Sequence, residues 1–117
     1  MLLRLFPSVE APSKVRRELS SFANRIDQRS LADVRTVISE LVALIVANGA
    51  RKPIELALCL EDSRLEGSLC DDGTGVRAIS RRDSSSLVVR IVDALVDEWG
   101  ANGEGKRIWF RMSVQTV

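Results

Sequence analysis

The chain contains no histidine and no tyrosine. Without an imidazole it can hold no Ser-His-Asp relay, no histidine metal ligand and no phosphohistidine. Cysteine is nearly absent too: Cys59 and Cys70 are the only ones. Two thiols without histidine do not supply a structural zinc set. No long apolar run is present. The longest, Leu41 to Ala47, falls far short of the ~18 residues of a membrane span. The opening MLLRLFP lacks the basic-then-apolar plan of a secretory signal, so a cytoplasmic protein with reduced thiols is expected. An excess of one charge is also missing. There are 17 Lys and Arg against 16 Asp and Glu, a net charge of +1. That balance gives no bulk case for nucleic acid or an anionic membrane as partner. The basic pairs Arg16-Arg17 and Arg81-Arg82 read as solvated helix ends or loops.

What is present suits an ordinary globular domain. Hydrophobic residues make up 45% and charged residues 28% of 117 residues, and one domain over 1–117 is expected. Leu2 to Phe6 alternates and ends at Pro7, a short first strand. Val15, Leu19, Phe22 and Ile26 recur at helical spacing, predicting a helix from Pro12 to Ile26 with Ser8 or Ser13 as N-cap. Leu31, Val34, Val37, Ile38, Leu41, Leu44, Ile45 and Asn48 form the stripe of a second helix, capped by Ser30 and ended by Gly49 and Pro53.

A hairpin follows. A turn at 61–64 sets Leu60 opposite Leu65, Leu58 opposite Gly67 and Leu56 opposite Leu69, giving one apolar face. Cys59 then pairs with Glu66 and Cys70 with Glu55. The thiols stand four residues out of step, roughly 13 Å at ~3.3 Å per residue, too far for a disulfide. The segment after Gly75 reads as a polar loop of about ten residues, of the length that often carries function. A third helix is expected with Leu87, Ile91, Ala94 or Leu95, and Trp99 on its buried side and Gly100 as C-cap, and a last strand carries Ile108, Phe110 and Met112. The order predicts an α+β fold: a two-layer α/β sandwich with helices on one face of a mixed, mostly antiparallel sheet.

The stretch SLCDDGTGVRAIS, residues 68–80, holds a D-x-G-x-G at Asp71, Gly73 and Gly75. As a turn, its aspartates bond the local backbone and its glycines take positive φ. As a pocket floor, Asp71 accepts a bond from an amino group and the glycines let a flat ring approach. Glu40 lies on one edge of the second helix with Leu44 and Asn48. There it is either a solvated residue or a base. Ser84, Ser85 and Ser86 read as an N-cap cluster before Leu87.

SELVALIVANGA, LCDDGTGV, SSSLVVRIVDALVDEWG and EGKRIWF occur in that order. Together they resemble the GHKL ATPase superfamily, and within it the RsbW-type anti-sigma-factor serine kinases. Those read S-E-L-V-x-N-A-V, D-x-G-x-G, G-x-G-L-x-x-V-x-x-L-x-x-x-W-G and G-K-T-x-x-x-F. The resemblance implies a Bergerat-type fold. It gives Glu40 the role of general base, and Asp71 that of reader of the adenine amino group. Gly73 and Gly75 lie beneath the ring, 76–83 form the ATP lid, and Ser84, Ser85, Ser86 and Leu87 surround the phosphates. Three departures stand out. Leu44 occupies the place of the magnesium-holding asparagine and offers no oxygen to a hard cation. Asn48, the nearest oxygen donor, is a turn (~5.4 Å) away. Ser84 and Ser86 replace phosphate-cradling glycines, and Arg107 replaces a threonine. The resemblance therefore implies a regulatory protein binding a sigma factor or a STAS-type anti-anti-sigma partner, with ATP or ADP held weakly and without magnesium. It leaves open an active serine kinase and a nucleotide-free homodimer.

Overall fold

The computed structural model describes residues 1–80, 86–102, 104 and 106–117. Five strands form one sheet in the order β1-β2-β3-β5-β4: β1 (Leu2–Leu5), β2 (Ile54–Glu61), β3 (Arg64–Cys70), β4 (Glu98–Asn102) and β5 (Arg107–Ser113). Among the described residues every strand pairing is antiparallel, so the expected mixed, mostly antiparallel sheet is antiparallel throughout. The helices are α1 (Ala11–Glu18), α2 (Gln28–Ala47), α3 (Thr74–Ser80) and α4 (Leu87–Leu95).

 

The two layers follow from alternation along each strand. Ile54, Leu56, Leu58, Leu65, Leu69, Ile108, Phe110 and Met112 are buried beneath the helices, while Glu55, Cys59, Glu66, Arg107 and Arg111 face solvent. The hairpin register is the one the spacing predicts, with Leu60 opposite Leu65, Leu58 opposite Gly67 and Leu56 opposite Leu69. Asp62 turns the chain at φ 55°. Gly67 is required by its partner: an added Cβ would lie 2.4 Å from the Phe110 ring. Both cysteines are free.

The first helix is shorter than expected. It runs from Ala11 to Glu18 and tightens into a 3-10 helix over Leu19–Phe22. Ser21 donates its hydroxyl proton to the Glu18 carbonyl at 3.2 Å, a local bond of the kind that competes with regular helix. The predicted apolar set Val15, Leu19, Phe22 and Ile26 is nevertheless buried. Its N-cap is Glu10, not Ser8 or Ser13; the Glu10 side chain makes no capping bond, and the Ser8 hydroxyl accepts the Glu10 N–H at 3.3 Å.

The cap of α2 is also displaced. Asp27 sits in extended backbone and its carboxylate accepts the Ser30 N–H at 2.8 Å, so Asp27 and not Ser30 starts the helix. The Ser30 hydroxyl instead accepts the Gln115 N–H at 2.9 Å, tying the segment after β5 to the helical layer. At the other end Asn48 is the C-cap and Gly49 takes φ 93°, as its position after the stripe predicts.

The third predicted helix ends early. Val96 is extended, and the Asp97 N–H donates to the Arg111 carbonyl at 2.8 Å. Trp99 and Gly100 therefore belong to β4, opposite Phe110 and Trp109. Unpaired backbone on β5 captured a segment whose apolar spacing also fits a helix. Among the described residues, no helix is long and apolar enough to cross a membrane.

Candidate functional site

β3 delivers Asp71 to the point where the chain leaves the sheet for α3. The Asp71 carboxylate accepts the Gly73 N–H at 2.7 Å and the Gly75 N–H at 2.9 Å. Asp72 accepts the Thr74 N–H at 3.0 Å. These are amides that the start of a helix leaves without carbonyl partners, and carboxylates suit that end of the dipole. The Thr74 N–H holds the exposed Asp72 carboxyl below the usual aspartate range. Among the described residues each Asp71 oxygen accepts one backbone N–H, and a carboxylate oxygen has two lone-pair directions, so the turn role is compatible with an acceptor role for a ligand amino group.

The glycines are covered by the protein itself. Gly73 takes φ 101°, and an added Cβ would meet the Lys106 Cγ at 3.3 Å and an Arg77 guanidinium nitrogen at 3.6 Å. At Gly75 the added atom would lie 2.4 Å from the Ile45 carbonyl oxygen and 3.0 Å from the Asp71 carboxylate. Gly75 thus lets α3 press against the backbone of α2. Neither Arg77 nor Lys106 stood out in the sequence, because nothing local ties them to Gly73.

The C-cap of α2 also bonds this turn. Asn48 donates its side-chain N–H to the Gly75 carbonyl at 3.3 Å. Leu44, one turn earlier, is 9% exposed. Glu40 is half-buried and lies eight residues before Asn48, about 12 Å along the axis at ~1.5 Å per residue. Asn48, Asp71, Gly73 and Gly75 are therefore one connected group, and Glu40 stands off from it on the same helix.

The remaining positions divide. The segment after Gly75, read as a loop, is corrected over its first part: Val76 through Ser80 belong to α3, with Val76 and Ile79 buried. Residues 81–83, Ser84 and Ser85 lie outside the described residues. Ser86 is the N-cap of α4, but its hydroxyl makes no capping bond. Its carbonyl accepts the Arg90 N–H at 3.0 Å. Leu87 opens α4 and is 69% exposed. Arg107 lies opposite Cys70 on β5 and donates to the Ser68 hydroxyl at 3.1 Å. Burial pushes the Cys70 thiol up, and Arg107 partly offsets this. In comparisons with known proteins, no family model and no curated sequence matches this chain.

Proposed function

We propose that the chain is a cytoplasmic regulatory domain of the RsbW-type anti-sigma kind, working by protein–protein binding, with a GHKL nucleotide site reduced to its adenine end. The partners on this reading are a sigma factor or a STAS-type anti-anti-sigma protein. The observation that carries it is Leu44, buried at the position where the resemblance puts the magnesium-holding asparagine. The glycine that the resemblance puts beneath adenine is here packed against α2. Asp71 stays available as an acceptor through its free lone pairs. Buried Leu44 offers magnesium no oxygen.

ATP or ADP is then a weak ligand, and magnesium adds nothing to its binding. Calorimetry with ATP and ADP, with and without magnesium, tests this. The expected result is affinity weaker than micromolar and indifferent to the metal. Magnesium-dependent micromolar binding would sink the reading. Transfer of labelled phosphate from ATP to a partner serine, abolished by Glu40→Gln, would instead establish a working kinase with Glu40 as base. Sedimentation at several protein concentrations checks for a homodimer.

A further inference from the structure

Arg16 and Arg17 are explained neither by the sheet nor by the turn at Asp71. They lie in the last turn of α1, where basic side chains complement the helix dipole. That accounts for two cations on one helix. Arg35 comes from α2 and joins them at the same end of α1. Ser13, Arg16, Arg17, Ser20 and Arg35 line one open hollow of about 500 Å3.

Arg16 and Arg35 are held in place without carboxylates. Arg35 donates through Nε to the Arg16 carbonyl at 3.2 Å and through Nη2 to the Ser20 hydroxyl at 2.7 Å. Arg16 donates through Nη2 to the Ser13 hydroxyl at 3.1 Å. Among the described residues the ion pairs are Arg4 with Glu55 and Arg111 with Glu66 and Glu98. Arg16, Arg17 and Arg35 take part in none of them. Like charges gathered in this way repel one another, and a chain of net charge +1 does not impose the arrangement by composition. An anion in the hollow removes the repulsion.

We propose that this hollow binds a phosphate monoester. A carboxylate matches one guanidinium fork. A dianionic phosphoryl group has three acceptor oxygens and matches several forks together. Arg35 is fixed by two bonds and keeps the rest of its five N–H donors. The serine hydroxyls can turn toward the same group. The site lies apart from the turn at Asp71: Arg35 and Asn48 are 13 residues apart on α2 and its cap, about 20 Å at ~1.5 Å per residue.

The test is calorimetry of the whole chain at fixed ionic strength. The probes are glycerol phosphate, a phosphoserine peptide, the same peptide with glutamate in place of phosphoserine, and a short DNA duplex. Saturable binding of one phosphate ester per chain is expected, with the glutamate peptide at least tenfold weaker. Tighter binding of the phosphopeptide than of glycerol phosphate assigns the source to a protein side chain, and equal binding assigns it to a free ester. Arg35→Lys keeps the charge but loses the fork, and is expected to weaken binding about tenfold while leaving the far-UV spectrum and melting temperature unchanged. Arg17→Gln is expected to weaken binding as well. Adenosine, which carries no phosphoryl group, is expected not to compete, so the outcome is separate from that of the adenine site. Equal affinity for the glutamate peptide, insensitivity to both substitutions, or binding of the duplex alone would each overturn the proposal.

Discussion

At the scale of single residues, the D-x-G-x-G motif does two things at once. Asp71 satisfies two backbone amides, and Gly75 gives α3 its contact with α2. Gly75→Ala gains about 1 kcal/mol of helix propensity but meets a carbonyl that cannot move aside cheaply. The expected net effect is a loss of about 1–2 kcal/mol, measured by urea unfolding. An unchanged midpoint would show that the contact with Ile45 is soft. The two thiols give a second outcome. Cys59 is exposed, whereas Cys70 is half-buried and its thiol is raised by that burial. Alkylation followed by mass spectrometry is expected to label Cys59 first, with Cys70 catching up as pH rises. Asp71, Gly73 and Gly75 were legible because their types announce a turn. The Gly75–Ile45 approach was not, because it joins residues 30 positions apart.

Among the elements, the β2–β3 hairpin was readable to the exact register, since a short turn and strict alternation leave one solution. The stripe of α2 was readable for the same reason: Leu31 through Ile45 repeat over 20 helical residues. Two elements were hidden. α3 is seven residues long, with too few turns to display a period, and β4 carries an apolar spacing that suits a helix as well. α3 depends on its start. The Asp72 carboxyl is depressed by the Thr74 N–H, so its contribution to α3 is present above the unfolded aspartate pKa and is lost as pH falls through the depressed value. The protection factor of the Thr74 amide, taken relative to intrinsic exchange at each pH, is expected to fall on acidification across that window. Asp72→Asn should flatten this dependence, since an asparagine caps without titrating.

For the whole molecule, the weight rests on the buried sheet face. Phe110 is 1% exposed and fills the space Gly67 leaves open. Phe110→Ala is expected to cost about 3–5 kcal/mol, a large part of the stability of a domain of this size, as read from denaturant unfolding. A loss below about 1 kcal/mol would mean that the core collapses into the gap. The two-layer architecture was legible from the order of strands and helices. The edge assignment was not, because it turns on β4 leaving the α4 helix for β5. That arrangement also sets a timetable. β5 lies between β3 and β4 in the sheet but follows both in the chain. During synthesis β4 emerges with no neighbour to pair with, and β3 waits with one side open. The sheet closes only when residue 113 has left the ribosome, so its completion is a late step and the nascent chain carries open strand edges until then.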